Sequence, residues 1–152
     1  MMASWPPTLH LNIAGLGQVL FCHASPRNDT DVFTRLTSEE RVRTVFEGVA
    51  APLVVCGHTH MQFDRTIGTT RVVNAGSVGM PYGEPGAYWL SLGPTVQFRR
   101  THYDYTQAAA SISATEYPFA EDFAANNVLQ PPSEAGVLAV FGRTEVGASS
   151  QA

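Results

Sequence analysis

The sequence has few cysteines and few charged residues, and both shortages exclude classes of protein. Cys22 and Cys56 are the two cysteines in 152 residues, too few for the disulfide framework of a small secreted domain. Both lie in apolar runs, where cysteine usually acts as a small buried hydrophobic residue, although a bridge between them stays open. Charged residues make up 14% of the chain and the formal net charge is -4, so a nucleic-acid-binding surface is not expected.

Long apolar runs are absent too. The run at residues 51–56 is typical, and it is far too short to cross a bilayer. The start of the chain, MMASWPPTLH, has neither the basic segment nor the apolar centre of a signal peptide. These features predict a cytoplasmic protein without a membrane-spanning segment, of the length of one modest domain that can bury a core.

The first half of the chain has the pattern of a βαβ unit. Apolar runs predict buried strands at residues 18–22 and 53–56, and a turn-rich loop follows the first of them. Between the two runs, residues 38–47 are predicted to be a helix, because apolar side chains recur at helical spacing. Strands joined through a helix are typically parallel neighbours, so we expect an α/β sheet.

Both ends of this helix carry recognisable signals. Residues 37–40 (TSEE) match a capping box, in which the Thr37 hydroxyl and the Glu40 carboxylate would satisfy the first free N–H groups. Gly48 is a natural C-terminal stop. The sequence therefore predicts a capped helix that leads directly into the second strand.

The second half of the chain predicts antiparallel structure and then a weaker pattern. The runs FDRTI and RVVNA flank Gly68-Thr69-Thr70, and AYWLSL and TVQFRR flank Gly93-Pro94, so two hairpins are expected. After residue 104 the run YTQAAASIS predicts a short helix, and residues from about 115 onward are expected to be irregular with a frayed end. We accordingly divide the chain into a domain, residues 1–104, and an extension, residues 105–152.

Three histidines follow the two predicted parallel strands. His58 and His60 come directly after residues 53–56 and Gly57, and His23 ends the strand at residues 18–22. Ligand sites in open α/β sheets lie outside the carboxyl ends of the strands, where these imidazoles would converge. Neutral imidazole is the commonest protein ligand of transition metals, so the pattern predicts a metal site. His10 and His102 lack such a position and are interpreted as ordinary surface histidines.

A rival metal site is compatible with part of this pattern. His58-x-His60 followed by Asp64 also occurs on small all-β barrels that hold one divalent metal. The helix predicted at residues 38–47 argues against that fold, because a barrel needs strands there.

Three segments carry a resemblance to a known family. LFCHASPRND, VVCGHTHMQFDR and VVNAGSVGMPYGEPGAYWLSL, in this order and spacing, resemble the C-terminal half of the calcineurin-like metallophosphoesterases, above all the small bacterial phosphodiesterase-type members. The likeness covers residues 9–104. It implies an α/β fold, a β-sandwich flanked by helices, here without its N-terminal part. It also implies two divalent metals of the Mn, Zn, Fe or Ni type that hydrolyse phosphodiesters or phosphomonoesters through an activated hydroxide.

The resemblance also implies roles for particular residues. His23 and His58 would bind one metal and His60 the other. The turn NAGSVG would lie beside the site, although its glycines are also explained by the turn itself. Residues expected near substrate or metal ligands are Arg27, Asn74, Gly76 and Ser77. No residue of this chain is assigned a catalytic role by the resemblance.

The first three motifs of the family have no counterpart in this chain. Residues 1–22 contain no aspartate, and neither Asp-x-His, Gly-Asp nor Gly-Asn-His occurs before His23. A competent two-metal phosphoesterase is therefore expected to need an N-terminal half from elsewhere. The alternatives are an inactive remnant that holds one divalent metal through three histidines, and a partner-binding module. Because strand edges and apolar surface would be exposed, the chain is expected to associate with itself or with a partner, or to fold poorly.

Overall fold

The apolar runs of the sequence form the centre of a mixed five-stranded sheet. A computed structural model describes residues 4–147, in which this sheet has the order β1-β2-β3-β5-β4. β2 is parallel to β3 and β3 to β5, while both edge strands run antiparallel to their neighbours. The strands are β1 (Thr8–Ile13), β2 (Gly17–Cys22), β3 (Leu53–Cys56), β4 (Phe63–Ile67) and β5 (Thr70–Asn74).

A second sheet covers one face of the first. It is the antiparallel hairpin of β6 (Ala87–Leu92) and β7 (Val96–Thr101). Side chains alternate between the two faces of a strand, so every second residue of the central strands points toward this hairpin. Val19, Leu53, Val55 and Val73 form the buried layer there, and Leu90, Leu92 and Val96 pack against it. The predicted β-sandwich is confirmed, as are both hairpins and the parallel pairing of the first two apolar strands.

The opposite face of the large sheet packs against α1 (Glu39–Arg43) and its flanking loops. The residues in between form the largest buried cluster, which includes Leu20, Phe33, Val42, Val45, Phe46, Ala51, Val54, Cys56, Phe63, Ile67 and Val72. Helix on one face and sheet on the other give the layered α/β architecture that the sequence predicted.

The capping box predicted for α1 is wrong. Ser38 is the N-cap residue, and no side chain caps the helix. The Thr37 hydroxyl instead donates to the Glu145 carboxylate at 2.6 Å and accepts from the Thr34 N–H at 2.9 Å. The helix also ends at Arg43 rather than at residue 47, and i→i−3 hydrogen bonds continue as turns until Gly48, whose φ is +76°. The Thr37 hydroxyl therefore bonds to the distant Glu145 carboxylate and not to the free N–H groups at the start of its own helix.

The extension contains more helix than the sequence predicted. The helix at YTQAAASIS is confirmed as α2 (Tyr105–Ser113), but the expectation of irregular structure after residue 115 is wrong. α3 (Ala120–Phe123) continues into a π-helical segment, Ala124–Leu129, and α4 (Glu134–Phe141) follows. Small apolar side chains, Ala109, Ala124 and Val128, pack α2 against the π-helical segment. The division of the chain at residue 104 stays a prediction. The frayed end was expected at residues 147–152, of which 148–152 lie outside the described residues.

Neither cysteine is bridged. Cys22 and Cys56 are free thiols, and burial raises the pKa of the Cys22 thiol to about 12 and that of Cys56 well above its usual value. Buried thiols of this kind are inert, which agrees with a structural role in the sheet. Among residues 4–147, no helix has the length and apolar character that a membrane crossing requires.

Candidate metal centre

Two of the predicted ligands meet at the carboxyl ends of adjacent parallel strands. His23 follows β2 and His58 lies two residues after β3, and the Gly57 N–H donates to the His23 carbonyl oxygen at 2.8 Å. This bond extends the β2–β3 ladder beyond the strands and fixes the two loops side by side. As a result, His23 Nε2 lies 3.1 Å from His58 Nδ1.

The loop after β3 has an unusual backbone. His58 and His60 have φ values of +64° and +58°, the left-handed region that non-glycine residues seldom adopt. The Thr59 N–H donates to the Gly57 carbonyl oxygen at 2.7 Å, and Thr59 itself is buried. Residues held in this region often cluster at functional sites, where the surrounding structure maintains them. The tight turn presents the two imidazoles in different directions.

The protonation of His58 suits a ligand. Burial lowers the pKa of this imidazole, and the neighbouring His23 and His60 lower it further, against the opposing effect of Asp29 and Asp31. A lowered pKa keeps the ring neutral at physiological pH. Neutral imidazole is the form that offers a lone pair to a metal.

His60 has a contact of its own, different from that of the His23–His58 pair. Its Nδ1 is 2.9 Å from the Met80 carbonyl oxygen, an arrangement in which Nδ1–H donates and the lone pair is left on Nε2. Metal-binding histidines commonly donate their second ring N–H in this way, to a carbonyl or carboxylate. His60 also lines a cavity of about 210 Å³ together with Gln62, Tyr82 and Glu134. The structure therefore joins His23 and His58 by a direct contact, whereas His60 is held by the Met80 carbonyl oxygen.

Asn74 connects the two loops of the site. This residue ends β5, and its side chain is 1% exposed. The amide donates to the Gly57 carbonyl oxygen at 2.5 Å and to the Thr59 hydroxyl at 3.1 Å, and its oxygen accepts from the Gly76 N–H at 2.9 Å. Asn74 thus supports the turn of residues 57–60, the histidine turn, through hydrogen bonds.

The remaining residues of the NAGSVG turn also have structural contacts. Gly76 has a φ of +81°, and a Cβ there would lie 2.8 Å from side-chain atoms of Gln62 and of Tyr88. The Ser77 hydroxyl accepts from the Met80 N–H at 3.0 Å. It thereby shapes the turn that contains the Met80 carbonyl oxygen, the partner of His60 Nδ1. These contacts agree with the interpretation that the turn is shaped by its own packing.

Arg27 is bound within its own loop. Its guanidinium donates to both oxygens of Asp31, at 2.6 and 2.9 Å, and the Ser25 hydroxyl donates to the same carboxylate at 2.6 Å. Burial alone would raise the pKa of Asp31, but the hydrogen bonds from Arg27, Ser25 and Asn28 outweigh it, and the pKa is lowered. Asp31, which was not expected from the sequence, organises through its carboxylate the loop that begins at His23.

The arrangement of His23, His58 and His60 is compatible with the histidine ligands of a metal centre. Two imidazoles adjoin each other and a third is oriented by a carbonyl oxygen, as is common for metal-binding histidines. Within the described range, residues 4–147, no group of three or more His, Cys, Asp or Glu side chains is gathered closely enough to hold an ion. The carboxylates of a two-metal site are therefore not assembled around these imidazoles in the described part of the chain.

A larger cavity of about 880 Å³ opens beside His23. Apolar side chains of Trp5, Leu9 and Phe21 line most of it, and His23 and Asp29 lie at its polar end. This cavity places a large apolar surface next to His23.

Comparisons with known proteins agree with this architecture. Residues 3–92 match the family model of the calcineurin-like phosphoesterase superfamily domain. A hypothetical protein from Pyrococcus horikoshii OT3 aligns with a TM-score of 0.67 and 20% identity over 80% of this chain and 50% of its own. A metallophosphoesterase from Sphaerobacter thermophilus aligns with a TM-score of 0.61 and 19% identity over 82% of this chain and 57% of its own.

The chain spans about half the length of these two solved structures. At such identities the likeness to them shows the shared fold alone. No curated protein sequence matches the chain.

Proposed function

We propose that this chain, which belongs to the calcineurin-like phosphoesterase superfamily, binds divalent metal through His23, His58 and His60 and acts in metal-dependent hydrolysis of phosphoesters. The observation that carries the proposal is the 3.1 Å approach of His23 Nε2 to His58 Nδ1 at the ends of two parallel strands. His23 and His58 would share one ion, and His60 would bind a second through Nε2.

The chemistry of such a centre is general. Bound divalent cations supply positive charge to phosphate oxygens and lower the pKa of water. The residues of this chain supply imidazole nitrogens, a turn that holds His58 and His60, and the Met80 carbonyl oxygen that orients His60. Both cysteines are free thiols, which supports the proposed cytoplasmic location, where disulfides are rare.

A second candidate function is metal binding without catalysis. The absence of a gathered carboxylate among residues 4–147 favours it, because bridging anions normally offset the charge of two cations. Three histidines and a water would be a sufficient ligand set for one zinc ion. Among residues 4–147 His60 is not gathered with His23 and His58, so this candidate requires His60 to move toward the pair when the ion binds. The two candidates differ in turnover and in the number of ions bound.

Replacing His58 by alanine is expected to lower affinity for Mn²⁺ or Zn²⁺ by about a hundredfold or more, since even partners of metal ligands contribute 10–100-fold. Isothermal titration calorimetry with each metal alone measures this. His10→Ala is the matched control, because His10 is exposed on the edge strand β1. Equal affinities of His58→Ala and His10→Ala would contradict the proposal.

Turnover separates the two candidates. With added Mn²⁺, hydrolysis of bis(p-nitrophenyl) phosphate by the unchanged chain, lost in His58→Ala and kept in His10→Ala, supports the hydrolase. Bound metal without turnover supports the binding protein. A chain that binds no metal overturns both.

Association with a second copy or with another polypeptide is a further part of the proposal. β1 is an edge strand, and Leu9 and Leu11 on it are 49% and 46% exposed. Exposed apolar edge strands readily pair with other chains. Light scattering is therefore expected to give a mass above that of the 16.4 kDa monomer, and Leu11→Lys to reduce it. The control His10→Lys changes the opposite face of β1, and a monodisperse monomer of the unchanged chain would contradict the expectation.

A further inference from the structure

His60 is held on two sides. Its Nδ1 faces the Met80 carbonyl oxygen at 2.9 Å, and its ring stacks on Tyr82 with centroids 5.7 Å apart and planes inclined by 21°. The first contact selects the tautomer, and the second restricts rotation of the ring. Because Tyr82 lies only two residues after Met80, one short loop provides both contacts.

Tyr82 is in turn supported by the extension. Phe141, the last residue of α4, packs edge-on against the Tyr82 ring with centroids 6.1 Å apart. The Gly83 N–H donates to the Pro132 carbonyl oxygen at 2.9 Å, so the loop next to Tyr82 is tied to the residues before α4. Half-burial of Tyr82 between these groups also raises the pKa of its hydroxyl.

The segment that carries Phe141 is fastened at both ends. Before α4, the Pro132 carbonyl oxygen accepts a hydrogen bond from the Gly83 N–H. At the start of α4, Glu134 forms an ion pair with Arg35. After α4, the Glu145 carboxylate accepts from Thr37 and Arg41 at 2.6 and 2.7 Å. The Val146 N–H donates to the Val32 carbonyl oxygen at 2.8 Å. α4 is thus held in place at both of its ends, beside the loop that contacts His60.

We propose that Tyr82 is a positioning residue for His60 and that Phe141 holds Tyr82 in place, so the extension contributes to the orientation of this imidazole. The Tyr82 hydroxyl has no hydrogen-bond partner among residues 4–147, and the ring is therefore the part that acts. The role in metal binding rests on the proposed function. The effect on the imidazole itself exists in the metal-free protein.

The test measures the His60 tautomer in metal-free protein by ¹⁵N-resolved imidazole NMR, at a pH about two units above the ordinary imidazole pKa. The unchanged chain and Tyr82→Phe are expected to show one dominant tautomer, with the proton on Nδ1. Tyr82→Ala and Phe141→Ala are expected to show mixed tautomers or a broadened signal. Tyr117→Ala, a half-exposed tyrosine of the extension, is the control and should resemble the unchanged chain.

Metal affinity gives the second measurement. Tyr82→Ala is expected to lose about 10–100-fold in affinity at one ion, the range typical of groups that orient a metal ligand, and Tyr82→Phe should retain affinity. If Tyr82→Ala fails to fold by circular dichroism, Tyr82→Leu and Phe141→Ala take its place. An unchanged tautomer in a folded Tyr82→Ala or Tyr82→Leu protein overturns the inference. Absence of metal binding by the unchanged chain overturns the proposed function while the tautomer result still decides the role of Tyr82.

Discussion

Replacing Asn74 by alanine is expected to lower the free energy of unfolding by about 3 kcal/mol, because the buried Thr59 hydroxyl and the half-buried Gly76 N–H lose their partner and the Gly57 carbonyl oxygen loses one of its two donors. The Gly57 carbonyl oxygen, the Thr59 hydroxyl and the Gly76 N–H all bond to this amide, whose residue is 1% exposed. Each buried polar group left unpaired costs about 1–3 kcal/mol. Urea unfolding followed by circular dichroism measures the loss.

The same substitution should also weaken metal binding. Gly57 and Thr59 flank His58, and Asn74 is the side chain that fixes both of them. Asn74→Asp distinguishes the contribution of the amide N–H donors from that of the amide oxygen. It keeps an oxygen that accepts from the Gly76 N–H and removes the two N–H bonds to Gly57 and Thr59. We expect it to lose metal affinity nearly as far as Asn74→Ala.

Asn126→Ala is the control for both measurements. Asn126 is an exposed asparagine whose amide donates to Asp122, so its loss is expected to change stability by about 0.5 kcal/mol or less. If Asn74→Ala unfolds at the urea concentration of the unchanged chain, or binds metal equally well, then Asn74 does not support the histidine turn.

Features encoded by neighbouring residues could be predicted from the sequence. β3 was expected at residues 53–56 and lies at Leu53–Cys56, and β2 was expected at residues 18–22 and begins one residue earlier. The hairpins at Gly68 and Gly93 followed from turn residues between alternating runs. A strand that buries one or both faces has its register determined by its own apolar pattern, which is why these predictions succeeded.

Features that depend on distant partners could not be predicted. Thr37 bonds to Glu145, 108 residues away, and this contact displaced the local capping box. The short helices after residue 115 contain asparagine, glycine and alanine, which give a weak periodic signal, and they are stabilised by packing such as that of Ala109 on Ala124. Local propensity is routinely overridden by such contacts.

The candidate site likewise contains features that could be predicted from the sequence and features that could not. The positions of His23 and His58 at strand ends follow from the βαβ pattern, whose geometry is general. The left-handed backbone of His58 and His60 and the stack of Tyr82 on His60 depend on the fold around them. Asp31 was missed because its partners Arg27 and Ser25 lie in a loop with no regular period, although the spacing Arg27 to Asp31 was a signal for an ion pair.

Phe33→Ala is expected to lower the free energy of unfolding by about 3–5 kcal/mol, the usual cost of emptying a buried aromatic site. Phe33 is 2% exposed and makes edge-on ring contacts with Phe46 at 5.6 Å and Phe63 at 5.9 Å. It therefore links the turn after α1 to strand β4. It also lies two residues after Asp31, so it anchors the loop that begins at His23. Thermal and urea unfolding measure the change in stability.

Phe119→Ala provides the matched control for this prediction. Phe119 is 66% exposed, so the same chemical change removes far less buried surface and should cost about 1 kcal/mol or less. Phe33→Leu should fall between the two, since a leucine fills part of the site. Because the loop with Asp31 would lose its anchor, Phe33→Ala is also expected to weaken metal binding at His23, whereas Phe119→Ala is not. A Phe33→Ala protein as stable as Phe119→Ala would show that this loop is held by the Arg27–Asp31 contacts rather than by the core.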